Sequence, residues 1–194
     1  FTLDSATHLE GLPLREATGV LVLEPGGLRV DSLRLAMDAG TFTARGRLSR
    51  DPALRDTLRF VASVDSVPAL APLLGDSLAA AWADSLGGRL LIEGLALGSL
   101  DTVDIGATLR GDSLRAGGYA VRSVSGELLL AGVPRATQGL VTFDMTDAVA
   151  GGAVLHRLSA EATVRDPTWV DASFRAVAFD TLFTEGRADL HYMG

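Results

Sequence analysis

The residues that could carry out chemistry are few and lie far apart in the sequence. The three histidines, His8, His156 and His191, have neither the HxxH nor the HExxH spacing that brings two imidazoles onto one zinc ion. The segment GDSLA at 75–79 has the Gly and Ser of a hydrolase nucleophile elbow, but it lacks the second glycine and opens a predicted helix. The recurring Asp-Ser and Asp-Thr steps lack the spacing of a calcium loop. The sequence therefore predicts a protein that is not an enzyme and uses no metal or cofactor.

The composition excludes further classes of protein. The chain has 194 residues, is 47% hydrophobic and has no cysteine, so it can bury a core but has no disulfide or thiolate site. All 17 basic residues are arginine, the net charge is −7 and no basic cluster interrupts the sequence. Nucleic acid is therefore not an expected partner. No apolar run reaches the roughly 18 to 20 residues of a membrane span.

Four segments of the sequence alternate apolar and polar residues with a period of two. These segments would form the elements that position any binding surface. Apolar and polar residues alternate over 41–48, 57–64, 102–111 and 169–177. This alternation predicts strands with one apolar and one polar face. Antiparallel sheets that are covered on one side only have this pattern, so the predicted fold is mostly β.

One phrase occurs three times, as GGLRVDSLRLAM (26–37), GGYAVRSVSGEL (117–128) and GGAVLHRLSAEA (151–162). Each copy has a glycine pair, a branched apolar residue three positions later and another apolar residue three after that. The glycines predict a tight turn before a new strand. Around Asp31–Ser32 the alternation changes phase, which predicts a β-bulge that would recur and curl the sheet. The echo of LRVDSL in VAFDTL extends this prediction to Asp180.

One stretch departs from the strand pattern. In 68–86, leucines, Ala81 and Trp82 recur at spacings of three and four, which is typical of an amphipathic helix. We expect this helix to begin near Asp76 or a little earlier and to end at Gly87–Gly88. The predicted organisation is a single fragment of a longer protein, 1–194. It has a first strand set over 1–65, a helical insertion over 66–88 and a second strand set over 89–194.

The apolar positions of the alternating strands define a predicted inner face. Many of them are alanines, which leave room for a groove, whereas a closed sandwich core would be filled by bulkier side chains. Both arrangements remain open at this point. The candidate groove residues are Leu33, Leu35, Met37, Phe42, Ala44, Leu48, Leu58, Phe60, Val103, Ile105, Leu109, Val141, Phe143, Val170 and Phe174.

Three longer segments resemble a known family. VDSLRLAMDAGTFTARGRLS (30–49) resembles the recurring unit of the AsmA-like and TamB-type proteins. The stretch 66–105 is similar to that family's Pro-Leu-Leu helix followed by Gly-x-Leu strands, and 109–132 is similar again. The resemblance implies a long, strongly curved antiparallel sheet, shaped like a taco around an apolar groove. It also implies a periplasmic location, with an inner-membrane anchor in a segment outside this chain.

The resemblance implies a segment of a scaffold whose groove conducts phospholipid between the inner and outer membranes. Its expected partners are phospholipid acyl chains, neighbouring segments of the same chain and an outer-membrane barrel assembly protein. The alternative is a structural or chaperone-like module that pairs its open sheet edges with strands of outer-membrane proteins. A third possibility, an adhesin or β-helix, requires regularly spaced repeats, and the spacing here is irregular.

Overall fold

In the residues that the structure describes, the chain forms thirteen β-strands and one short 3-10 helix. The computed structural model describes residues 2–3, 8–9, 12–74, 86–150, 152–166, 169–178 and 182–191. The strands are β1 (Thr2–Leu3), β2 (His8–Leu9), β3 (Leu12–Glu24), β4 (Gly27–Met37), β5 (Gly40–Ser49), β6 (Asp56–Val64), β7 (Gly87–Gly98), β8 (Val103–Ala116), β9 (Tyr119–Val133), β10 (Gln138–Ala150), β11 (Ala153–Asp166), β12 (Trp169–Ala178) and β13 (Leu182–His191).

All thirteen strands belong to one open antiparallel sheet. From β3 to β13 each strand pairs with the next in sequence, while β1 and β2 both pair with β3. The predicted fold class, a mostly β chain with a long, strongly curved antiparallel sheet, is confirmed. The sheet does not close on itself, and no second sheet packs against it among the described residues.

The repeated glycine pairs lie at hairpin turns, as predicted. The β3–β4 turn is Pro25–Gly26, and Gly27 begins the new strand. Gly117–Gly118 form the two-residue turn between β8 and β9, where Gly117 has a φ of +58°. In the third copy, Gly151 lies outside the described residues.

The β-bulge predicted at Asp31–Ser32 is present. Val30 pairs with Gly46 and Leu33 pairs with Ala44, so two residues of β4 lie opposite the single residue Arg45. The bulge keeps Val30 and Leu33 on the same face although they are three positions apart. The corresponding prediction at Asp180 falls outside the described residues.

The ends of β5 and β7 converge beyond the start of β6. Ser49 and Ser99 form an isolated parallel bridge, and the Leu100 amide donates to the Ser49 carbonyl at 2.7 Å. The bridge joins β5 and β7 directly, at a level where β6 no longer lies between them. Both serine side chains are almost completely buried.

The helical insertion is described only in part. Residues Val67–Leu74 form a 3-10 helix that contacts β3 and β7. The amphipathic helix predicted from Asp76 onwards falls mainly on residues 75–85, which lie outside the described residues. Gly87 and Gly88 are already the first residues of β7, so the second strand set begins two residues earlier than predicted.

Candidate functional site: the apolar inner face

The pairing register collects the apolar side chains on one face of the sheet, which we call the inner face. Residues that pair directly across antiparallel strands share a face. One such row crosses the sheet from β3 to β12. It consists of Ala17, Leu35, Phe42, Ala62, Ile92, Leu109, Gly126, Phe143, Ala160 and Phe174. A second row, two residues along each strand, contains Leu33, Ala44, Phe60, Gly94, Ala107, Leu128, Val141 and Ala162.

The fifteen candidate groove residues all occupy inner-face positions of these and the adjacent rows. Met37 belongs to the row of Gly40, Val64 and Leu90, and Leu48 lies opposite Leu28. Val103 and Ile105, near the start of β8, lie on the same face as Leu109 because they are an even number of residues away from it. Val170 and Phe174 are placed on this face by backbone register alone. The register thus brings the candidates together, and their contact with lipid stays a prediction.

Several small side chains of the inner face are strongly shielded from solvent. Ala17 is 1% exposed, Ala44 6% and Ala107 8%, and the larger Val30 and Val124 are equally buried. From β4 to β10, the Phe, Leu and Ile side chains of the same rows are half-buried. Since no second sheet covers these residues in the described part, neighbouring inner-face side chains shield the alanines. The sandwich arrangement left open by the sequence is therefore not the one adopted.

Glycines let two aromatic rings lie down on the inner face. A Cβ on Gly94 would collide with the Phe60 ring and stand 2.9 Å from the Ala107 Cβ. A Cβ on Gly126 would stand 2.7 Å from Cδ1 of Phe143. Phe60 also stacks on Phe42 with the ring centroids 6.3 Å apart. Each ring therefore lies over a glycine of a neighbouring strand and does not project away from the sheet.

The opposite face, the outer face, is mainly polar. One of its rows contains Thr18, Arg34, Thr43, Val61, Glu93, Thr108, Glu127, Thr142, Glu161 and Ser173. Ion pairs link neighbouring strands there, with Arg157–Asp144 at 3.2 Å and Arg175–Glu185 at 2.6 Å. Exposed pairs of this kind add little stability, but they keep this face hydrated.

Sequence reasoning missed an apolar patch on the outer face. Val61, Leu95, Leu97 and Leu129 border a shallow depression of about 620 Å³ around Gly106. Leu129 is 54% exposed. Two strands of the patch contain the runs LLIEGLAL and LLLAG. Apolar residues in these runs fall on both faces of the sheet, so the sequence shows no alternation that would reveal the patch.

Sequence reasoning also misjudged the second and third copies of the repeated phrase. There the apolar residues again stand three apart, as in Val121–Val124, yet β9 and β11 pair with β10 without any register shift. The recurring-bulge prediction is therefore wrong for these copies. The neighbouring strands change phase at the same level, because Ser113 and Asp147 adopt positive φ values of 54° and 50°.

Polar contacts occupy the line along which these strands change phase. Arg122 pairs with Asp147 at 3.1 Å, and His156 Nδ1 lies 3.7 Å from the same carboxylate. The Ser123 and Thr146 hydroxyls are 2.6 Å apart. A left-handed φ is uncommon outside glycine, and Asp tolerates it better than most residues.

Metal-ligating side chains are not clustered at these surfaces in the described part of the chain. No three His, Asp or Glu residues there are grouped closely enough to hold a metal ion. GDSLA at 75–79 falls outside that part. No helix within it is both long and apolar enough to cross a membrane.

Comparison with protein-family models, with curated proteins and with solved structures finds no match to this chain. The resemblance to the AsmA-like and TamB-type proteins therefore stays a prediction.

Proposed function

We propose that the inner face binds acyl chains of phospholipids and that the chain is a segment of a lipid-conducting scaffold. The observation that carries this proposal is one continuous apolar face on a single open sheet, with a polar opposite face. A hydrocarbon chain needs an apolar surface that water does not reach, while the reverse side must remain soluble.

The size and uniformity of the inner face suit movement rather than tight storage. At about 4.8 Å per strand, the sheet from β3 to β13 extends roughly 50 Å, against ~15 Å for the hydrocarbon layer of one leaflet. An acyl chain of about fifteen carbons would gain on the order of 12 kcal/mol by leaving water. A single pocket would hold such a chain too long for transport. Rows of similar small and medium side chains offer successive equivalent positions instead.

The setting that we propose follows the family resemblance. The chain would act in the periplasm, held to the inner membrane by a segment outside this sequence. Neighbouring segments would continue the sheet beyond its two ends, and an outer-membrane barrel assembly protein would be the distal partner. Phospholipid would then travel along the row direction, across successive strands.

A second function is favoured by the open ends of the sheet. Among the described residues, β13 pairs only with β12, so one of its edges carries unpaired backbone groups. Such an edge can accept a strand from another protein. A chaperone-like module for outer-membrane proteins would use this edge rather than the inner face.

Paired photoreactive side chains would test the proposal and separate the two functions. Leu109 and Val141 lie on the inner face, and their sequence neighbours Thr108 and Thr142 lie on the outer face. With the photoreactive residue at Leu109 or Val141, we expect phospholipid adducts by mass spectrometry at least tenfold above those from Thr108 or Thr142. Equal lipid labelling from both faces would contradict the proposal. Protein adducts at β13 without any lipid adduct would favour the chaperone-like function.

A further inference from the structure

Three arginines form a cluster on the outer face, one on each of three adjacent strands. Arg45 of β5 lies directly opposite Arg59 of β6. Arg34 of β4 lies opposite Thr43, two residues from Arg45 along the same face. Like charges placed directly opposite in a sheet destabilise it, so this arrangement calls for a compensating group.

The rest of the described structure supplies no such group. None of the three guanidinium groups has a carboxylate within 4 Å among the described residues, although arginines on the same strands do. Arg29 on β4 pairs with Glu24 at 3.3 Å, and Arg47 on β5 pairs with Asp56 at 3.3 Å. The local supply of carboxylates is thus used by other arginines.

A cavity of about 780 Å³ lies over the cluster. Besides the three arginines, the hydroxyl-bearing residues Thr18, Ser32 and Thr43 line it. Asp31 is the single acidic residue of its lining, and it already lies 3.6 Å from Arg29. The cavity therefore combines an excess of positive charge with neutral hydrogen-bond donors.

We propose that this cavity binds a phosphate-type oxyanion, either free phosphate or the phosphate of a lipid headgroup. Guanidinium groups match such an oxyanion with paired, charge-assisted hydrogen bonds, and the hydroxyls add further donors. The net charge of −7 repels anions at long range, so binding must come from this local arrangement. The cavity opens on the outer face, so the inference does not depend on the acyl-chain proposal for the inner face.

The side chains beside the arginines would also suit an amphiphile. Val20, half exposed, and Val61 form apolar parts of the same cavity lining. A headgroup phosphate could bind the arginines while the adjoining glycerol or first methylenes contact these valines. A free phosphate would use the arginines alone, and the two sources predict different behaviour with vesicles.

The test compares the intact 194-residue chain with two double variants. R45Q/R59Q removes the opposed pair. R110Q/R187Q removes two other outer-face arginines that also have no ion pair among the described residues, so the charge change is matched. Calorimetry at low ionic strength measures the binding of inorganic phosphate and of pyrophosphate. Flotation compares binding to vesicles of phosphatidylglycerol with binding to vesicles of phosphatidylcholine.

We expect the unmodified chain and R110Q/R187Q to bind one of these probes equally, and R45Q/R59Q to bind it at least tenfold more weakly. If only free phosphate binds, the ligand of the cavity is a soluble anion. If only phosphatidylglycerol vesicles bind, the ligand is a lipid headgroup. Equal loss in both double variants, or no binding of any probe, would overturn the inference.

A measurement without ligand guards against a variant that misfolds. If Arg45 and Arg59 repel each other, R45Q should unfold at a higher temperature than the unmodified chain, and R110Q should not. Phosphate should then raise the melting temperature of the unmodified chain more than that of R45Q. A destabilised R45Q that gains as much from phosphate as the unmodified chain would contradict the site.

Discussion

Two inner-face phenylalanines each lie between small residues of the neighbouring strands. Phe60 lies between Ala44 on one side and Gly94 on the other, and Phe143 lies between Gly126 and Ala160. Each ring can therefore lie over a small neighbour. Rings placed in this way are compatible with the acyl-chain binding that we propose for the inner face.

Replacing Gly94 by alanine should destabilise the protein. Its Cβ would meet the Phe60 ring, the Ala107 Cβ at 2.9 Å and the Gly106 carbonyl oxygen at 2.9 Å. Overpacking of this kind costs about 1–3 kcal/mol, and urea unfolding would record it as a lower midpoint.

Gly106→Ala is the matched control for that substitution. Gly106 pairs with Leu95 on the outer face, and a Cβ there would meet only Cδ2 of Leu129, at 3.6 Å. We expect a midpoint equal to or slightly above that of the unmodified chain. A Gly94→Ala midpoint equal to that of Gly106→Ala would contradict the account of the inner face.

At the scale of the strands, alternation in the sequence predicts which residues share a face. The segment 41–48 places Phe42 and Ala44 inward and Thr43 outward, as expected. The pairing of strands is what the sequence does not reveal. That Arg45 faces Arg59, or that Phe60 covers Gly94, depends on register between segments whose loops differ in length.

The bulge in β4 could be predicted from the sequence, but the same sequence pattern elsewhere has a different cause. Val30 and Leu33 break the period within one strand, which a single sequence displays. At Val121–Val124 the same spacing has another cause, since the neighbouring strands change phase together. The sequence of a single strand does not distinguish a bulge in that strand from a change of phase that the neighbouring strands share.

Deleting Ser32 should leave a folded protein. The bulge loses its extra residue, while Val30 and Leu33 stay on the inner face with one residue between them. We expect a cooperative thermal transition with a melting temperature lowered by a few degrees, measured by circular dichroism.

Deleting Thr43 provides the contrast. No register shift occurs between β5 and β6, so this deletion turns either Phe42 or the segment from Ala44 to Leu48 towards the outer face. Each misplaced large apolar side chain costs about 1.5–3 kcal/mol. Equal stability of the two deletion variants would show that the bulge does not set the register.

For the molecule as a whole, one layer of sequentially paired strands builds the structure. Nearly all contacts between elements join neighbours in sequence, as in repeat proteins, where stability is a sum of adjacent interfaces. The ends of such a sheet are its least protected parts. The chain can therefore be extended by a further strand without rearranging its interior.

The isolated chain should self-associate through its open edges. Sedimentation velocity over a range of concentrations should show the average mass rising above 20.2 kDa as concentration increases. A single monomeric species up to millimolar concentration would contradict the availability of these edges. It would also weaken the chaperone-like alternative more than the lipid proposal.

The most direct test of the central claim is a map of which methyl groups touch hydrocarbon. Intermolecular nuclear Overhauser effects would be recorded between protonated phospholipid and methyl-labelled leucine and valine in an otherwise deuterated chain. Leu95 and Leu129 on the outer face are internal controls, since they are apolar but belong to the other face; Leu129 is 54% exposed and Leu95 is half-buried. The account predicts acyl-chain contacts at Leu33, Leu58, Leu109 and Val141 and none at Leu95 or Leu129. Contacts of equal strength on both faces, or contacts confined to the outer face, would contradict it.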